Sequence, residues 1–110
     1  MEIIIDKTET LTEIKLAGRL DSNTSQKLET ELIDLINSSS ENILVNLDEL
    51  NYISSSGLRV FLLAAKSLDA KGMRLKLCGM KNYIKEVFDI AGFSSIFDIY
   101  ESKQKVNSEV

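Results

Sequence analysis

Three consecutive serines, Ser54, Ser55 and Ser56, precede Gly57, Leu58 and an apolar run with helical spacing. One serine hydroxyl is enough to cap a helix, because it accepts a hydrogen bond from a free backbone N–H group. The first turn of a helix also presents other unpaired N–H groups and the positive end of the helix dipole. Since this position stabilises negative charge, the surplus serines could carry a covalent anion such as a phosphate.

The same serines do not form a recognisable catalytic site. A serine nucleophile needs a base and a group that orients the base, and the chain contains no histidine. The stretch lacks the G-x-S-x-G form of a nucleophile elbow and also lacks a Walker pattern. Lys66 and Lys71 leave a Ser–Lys pair open, but nothing in the sequence places a lysine beside Ser55. We expect a binding protein, not an enzyme, that needs no cofactor or metal.

Composition narrows the kind of partner. The 110 residues suit a single domain, and 44% hydrophobic with 27% charged residues is a globular composition. A net charge of −4 without a basic cluster argues against binding to nucleic acid or to an anionic membrane. Cys78 is the single cysteine, which excludes an intrachain disulfide and fits a reducing compartment. No signal peptide or membrane span is recognisable. We expect a cytoplasmic location.

The hydrophobic pattern predicts the elements that position the serines. Segments 2–5 and 12–18 are predicted to form a hairpin at a sheet edge. Segment 42–47 is almost continuously apolar, which is typical of a central parallel strand buried on both faces. The remaining predictions are strands at 73–79 and 95–100 and helices at 21–40, 54–72 and 81–92. The pattern predicts an α/β fold, a mixed sheet of about four to five strands with helices packed on it.

Functional loops in open α/β folds lie at the carboxyl ends of the strands, and the turn after segment 42–47 leads to the serines. Tyr52 is expected to pack beneath this turn, and Gly57 is expected to let the helix start pack closely. Cys78 is expected to lie in the core. The polar tail, about 102–110, is expected to bury little apolar surface, so that the fold survives without it.

Local signals also predict the ends of the first helix. Asn23 or Thr24 is the predicted N-cap, with Asn23 and Gln26 in the spacing of a capping box. Asp21 is an alternative cap for the same helix. Serines 38–40 are expected to end it.

Two motifs together resemble the anti-sigma factor antagonists, whose fold is the STAS domain. The stretch "VNLDELNYISSSGLRVFL" (45–62) resembles the family's strand ending in Asn-Leu, acidic turn, aromatic residue, and Asp-Ser-Ser/Thr-Gly-Leu at a helix start. The stretch "LAGRLDSNTSQKLE" (16–29) resembles its G-x-L-D motif followed by a threonine and the first helix. The predicted order of elements matches over nearly the whole chain. Ser54 departs from the pattern, because the family has an acidic residue at that position.

The resemblance implies a phosphorylation switch. In the family, the first serine after the acidic position is phosphorylated by a serine kinase that is also the anti-sigma factor. This implies Ser55 as the acceptor, with Ser54 and Ser56 as alternatives. The unmodified protein is expected to sequester that anti-sigma factor kinase and so release a sigma factor, and a serine phosphatase is expected to restore binding after phosphorylation. The implied partner surface consists of Asp21, Asn23, Ser54, Ser55, Ser56, Gly57, Leu58 and Arg59.

Arg59 lies one turn beyond Ser55, and we expect it to pair with a phosphate there. Three other interpretations stay open at this point. The serines could serve only as a helix cap. The domain could be a sigma-independent STAS module, a partner switch or scaffold that regulates a phosphatase, cyclase or other signalling enzyme, and Ser54 in place of the acidic residue favours this. The helix N-terminus could instead bind a small anionic ligand.

Overall fold

The computed structural model describes residues 1–38 and 42–107, and its strands form one five-stranded sheet in the order β1-β2-β3-β4-β5. β1 (Glu2–Lys7) and β2 (Leu11–Leu20) pair antiparallel at one edge, which confirms the predicted hairpin. β3 (Asn42–Ile53) lies parallel to β2 in the centre of the sheet. β4 (Lys76–Cys78) and β5 (Asp98–Tyr100) continue the parallel part and are shorter than predicted.

Helices connect the parallel strands, as the alternating pattern predicted. They are α1 (Ser25–Ser38), α2 (Ser55–Asp69) and α3 (Asn82–Ile90), and a further helix, α4 (Lys103–Asn107), follows β5. The described part of α1 ends at Ser38, and Ser39 and Ser40 lie outside the described residues. Within the ranges that the structure describes, no helix is long and apolar enough to cross a membrane.

β3 is buried on both faces because successive side chains of a strand point in opposite directions. Ile43, Val45 and Leu47 contribute to the main core, which also receives the apolar stripes of α1, α2 and α3. Leu44 points to the other face and packs in a second cluster with Cys78 and Val106. Both the central parallel position of β3 and its double burial are as predicted.

The second cluster corrects our expectation for the tail. Val106 on α4 is only 3% exposed, so this polar segment does bury apolar surface. The same helix is held by Lys103, whose Nζ lies 2.7 Å from Glu13 Oε1. The cluster also places Cys78 in the core, as predicted, and burial raises the pKa of its thiol to about 11. The thiol is therefore protonated, and unreactive, at neutral pH.

β3 runs six residues further than predicted and ends at Ile53 instead of near Leu47. Its last part pairs with the end of β2, from Ala17 opposite Glu49 to Leu20 opposite Ile53. One register shift, between Lys15 and Ala17, precedes this part of the ladder, and a second lies within it, between Gly18 and Arg19. The extension mixes polar and apolar residues without strict alternation, so its strand conformation comes from pairing with β2 and not from an apolar pattern.

Candidate functional site

Ser54 is the N-cap of α2. It has extended backbone angles, φ −94° and ψ 173°, and its side-chain oxygen accepts a hydrogen bond from the Gly57 N–H at 3.2 Å. Its own N–H donates to the Leu20 carbonyl at 2.9 Å, and its carbonyl accepts from the Leu58 N–H at 3.0 Å. Ser54 is thus committed to starting the helix and to fastening that start to the end of β2.

Ser55 is the first residue of α2 and is exposed, whereas Ser54 and Ser56 are half-buried. Of the three hydroxyls, the one engaged in a hydrogen bond within the described residues is that of Ser54. Ser55 therefore offers an accessible hydroxyl next to the unpaired N–H groups of a helix start, where a negative charge is stabilised. The capping hydroxyl of Ser54 and the accessible hydroxyl of Ser55 are thus distinct.

Gly57 allows α2 to start close to the sheet. A β-carbon at this position would lie 2.7 Å from Leu20 Cγ and 3.0 Å from Ile53 Cγ1, closer than real contacts allow. The side chains beneath Gly57 belong to the last residues of β2 and β3. The predicted packing role of Gly57 is confirmed.

Asp21 organises the turn before α1. Its carboxylate accepts hydrogen bonds from the N–H groups of Asn23 at 3.0 Å and Thr24 at 3.2 Å. Desolvation raises the pKa of Asp21, but these hydrogen bonds outweigh it and hold the pKa below the ordinary value of 3.8. The carboxylate is therefore charged at neutral pH. Of the predicted caps, Asp21 is the one whose side chain accepts from these backbone N–H groups.

The predicted capping box at Asn23 and Gln26 is wrong. Thr24 immediately precedes α1, but its hydroxyl accepts from the Asp21 N–H at 2.9 Å and donates to the Arg19 carbonyl at 3.0 Å. The threonine side chain thus stabilises the turn out of β2 instead of capping α1. These hydrogen bonds fix the position of Asp21, which the sequence pattern alone does not reveal.

The structure brings the two motifs of the sequence together. Leu20 lies opposite Ile53 in the β2–β3 ladder and accepts the hydrogen bond from Ser54 N–H. Asp21 directly follows Leu20, and Ser55 directly follows Ser54. The predicted partner residues of both segments therefore belong to one end of the molecule, at the carboxyl ends of β2 and β3.

Arg59 contacts the neighbouring helix. Its Nη1 lies 3.6 Å from Oε1 of Glu29 on α1, and its side chain is 68% exposed. Arg59 thus pairs with Glu29 in the unmodified protein, and its pairing with a phosphate on Ser55 stays a prediction. The pairing of Arg59 with Glu29 was not predicted, because the two residues lie on different helices and their contact gives no local sequence signal.

Tyr52 does not pack beneath the turn, which corrects the prediction. Tyr52 is 39% exposed, and the guanidinium carbon of Arg19 lies 4.1 Å from the centroid of its ring. Ile53 is buried, so strand alternation turns Tyr52 to the opposite side. Recognising that β3 extends to Ile53 would have predicted this orientation.

The site contains no obvious metal centre. Across residues 1–38 and 42–107, no group of three or more histidine, cysteine, aspartate or glutamate side chains could hold a metal ion. The arrangement offers an exposed hydroxyl, two exposed arginines, a fixed carboxylate and an aromatic ring near the carboxyl ends of β2 and β3. Such groups can bind a protein partner and respond to an added charge.

These features define a class of protein: a small α/β domain that presents an exposed serine at a helix start, beside the carboxyl ends of its central strands. The chain belongs to the STAS domain family, whose sequence profile matches residues 2–106. The predicted family and fold are both confirmed.

Relatives and solved structures agree with this membership. The chain is 38% identical over 104 residues to a Bordetella bronchiseptica protein named "Putative anti-sigma factor antagonist BtrV", covering 94% of this chain and 90% of that protein. It is 30% identical over 92 residues to the anti-sigma-B factor antagonist of Staphylococcus epidermidis, covering 84% and 85%. The phosphorylated form of the Bacillus cell fate determinant SpoIIAA has the same fold, with a TM-score of 0.77, 19% identity and coverage of 99% and 100%.

Proposed function

We propose that this protein is an anti-sigma factor antagonist: a binding module that sequesters an anti-sigma factor and so releases a sigma factor. The names of both curated relatives support this function, and they cover most of this chain and of their own lengths. The proposal assigns the chain no reaction of its own. Its role is to bind when unmodified and to dissociate when modified.

The observation that carries the switch is the separation of tasks between Ser54 and Ser55. Ser54 is engaged in capping α2, whereas Ser55 is exposed on the first turn. Phosphorylation of Ser55 would add a charge of about −1.5 to −2 at neutral pH without removing the cap. In a docked complex this charge would be desolvated, and a loss of a few kcal/mol weakens binding by orders of magnitude.

The proposed partners are an anti-sigma factor that is itself a serine kinase and a serine phosphatase that reverses the modification. The proposed docking surface contains Asp21, Asn23 and residues 54–59. Cytoplasmic localisation is part of this proposal, since the kinase would need ATP.

Capture on immobilised protein, followed by mass spectrometry, tests the identity of the partner. We expect an anti-sigma factor with a histidine-kinase-type ATP-binding fold. Capture of a phosphatase or cyclase without such a kinase would instead support the sigma-independent module.

Phosphopeptide mapping tests the acceptor. After incubation with the captured kinase and ATP, we expect phosphate on Ser55 in the wild type and in Ser56→Ala, and none in Ser55→Ala. Ser54→Ala is less direct, because it also removes the helix cap. Modification mainly at Ser56 would show that the proposed acceptor is wrong.

A further inference from the structure

The pair formed by Arg19 and Tyr52 lies beside the proposed docking surface and is not explained by the switch serine. Arg19 leaves 63% of its side chain exposed, and Tyr52 leaves 39% of its surface exposed. Both residues lie on the extension of β2 and β3, where Arg19 is opposite Tyr52 in the ladder. Stacking of the guanidinium on the ring holds the two side chains in a defined arrangement.

The pair is continuous with the switch site. Arg19 Nε lies 4.0 Å from Asp21 Oδ2, and Tyr52 is two residues from the Ser54 cap. The N–H of Ser54 donates a hydrogen bond to the Leu20 carbonyl, and this bond joins the ends of β2 and β3. A partner that covers Asp21 and Ser55 would therefore meet the pair at the same end of the molecule.

We propose that Arg19 and Tyr52 form an anchor for the anti-sigma factor. Arg19 would pair with a carboxylate of that partner, and the ring of Tyr52 would contact an apolar side chain next to the carboxylate. This inference rests on the proposed function. Arginine and tyrosine are enriched among the residues that contribute most to binding at protein interfaces. Because the stack already restricts both side chains, less conformational freedom is lost on docking.

Charge supports the choice of partner chemistry. The chain has a net charge of −4, yet this end presents Arg19 and also Arg59, whose side chains are among its more exposed cations. Each faces a carboxylate of its own chain at 3.6 Å or more, a weak pairing that a better-placed external carboxylate can replace. The ring of Tyr52 supplies the apolar part of the anchor.

The test is calorimetric binding of the purified anti-sigma factor kinase from the capture experiment to unphosphorylated variants. We expect Tyr52→Ala and Arg19→Ala each to weaken binding about tenfold, and Arg19→Glu to weaken it more, because it repels the partner's carboxylate. Tyr52→Phe should bind nearly as tightly as wild type, since it keeps the ring. Ile90→Ala is the matched control, because this exposed apolar residue lies at the end of α3.

Outcomes for the anchor and for the proposed function differ. If Arg19→Glu, Tyr52→Ala and wild type bind within twofold of one another while Ser55→Asp loses binding, the anchor is wrong and the switch stands. If Arg19→Ala weakens binding but Arg19→Glu is no worse, the assignment of an acidic partner group is wrong. A wild-type protein that does not bind the kinase would overturn both. Circular dichroism of every variant checks that a loss of binding is not a loss of folding.

Discussion

At the scale of single residues, Ser54 and Ser55 have separate physical tasks despite being adjacent and identical. Ser54 has the extended backbone of a helix cap and bonds the Gly57 N–H, and Ser55 begins the helix with its side chain exposed. An aspartate at the capping position, as in the family pattern, could accept the same hydrogen bond, because both side chains are good caps. The departure at Ser54 therefore preserves the helix start while removing one negative charge from the surface.

We predict that Ser54→Ala lowers the free energy of unfolding by about 1 kcal/mol, because it removes the cap of α2. Ser55→Ala should change it by less than about 0.5 kcal/mol, since an exposed serine outside the cap contributes little. Urea unfolding of both variants measures the difference. Equal destabilisation by the two substitutions would contradict the assignment of the cap to Ser54.

Arg59 gives a second prediction at this scale. Ser55 and Arg59 are four residues apart on α2 and are therefore neighbours on its surface. A phosphate on Ser55 would compete with Glu29 for the guanidinium of Arg59. The second pKa of a phosphoserine is ordinarily about 6. We expect this pKa to be lower in the phosphorylated wild type than in phosphorylated Arg59→Ala. Glu29→Gln should lower it further by removing the competing carboxylate. The pair is exposed, so we expect shifts below about one pH unit.

Phosphorus NMR titration of protein phosphorylated at Ser55 measures these shifts. Lys66→Ala is the matched control, because it removes a cation about two turns further along α2 than Arg59. Identical titration curves for wild type and Arg59→Ala would leave Arg59 with no role toward the phosphate.

At the scale of elements, α4 has a larger role than its polar sequence indicates. It covers Leu44 and Cys78 with Val106, and Lys103 pairs with Glu13 on β2. Removing residues 103–110 should lower the free energy of unfolding by about 2 kcal/mol, chiefly through the exposure of apolar surface. Urea unfolding measures the loss, and labelling of Cys78 by a thiol reagent should become faster. If the shortened protein keeps its stability and its rate of Cys78 labelling, the tail contributes as little as the sequence predicted.

The Glu13 pair also predicts a dependence on pH. Partial burial raises the pKa of Glu13, but hydrogen bonds from Lys103 and Asn46 outweigh it and hold the pKa below 4.5. A carboxylate with a lowered pKa stabilises the fold above its unfolded pKa, and this contribution is lost as pH falls through the folded pKa. Glu13→Gln should therefore cost more stability at pH 7 than at pH 3. An equal cost at both pH values, measured by urea unfolding, would contradict this account.

At the scale of the whole molecule, the sequence predicts the parts that follow from hydrophobic periodicity. The edge hairpin, the doubly buried β3 and the apolar stripe of α2 all show strong local patterns, and each is confirmed. The extension of β3 to Ile53 was missed because it depends on pairing with residues of β2 that lie 32 or 33 positions earlier in the chain. The exposed position of Tyr52 was missed for the same reason.

The candidate site shows the same division. Ser55 and Gly57 could be selected from a local motif, since a helix start has recognisable signals. The contacts of Arg19 with Tyr52 and of Arg59 with Glu29 join separate elements, and one sequence contains no direct record of such tertiary contacts. The fold brings these residues near the proposed acceptor Ser55, and the motif alone does not.

The central claim is that charge on Ser55 controls docking, and one measurement tests it most directly. The affinity of the purified anti-sigma factor kinase is measured by calorimetry for the unmodified protein, for the protein phosphorylated at Ser55, and for Ser55→Ala and Ser55→Asp. We predict that unmodified protein and Ser55→Ala bind alike, and that phosphorylation and Ser55→Asp weaken binding by at least about tenfold, or 1.4 kcal/mol. Phosphorylated protein that binds as tightly as unmodified protein would contradict the account.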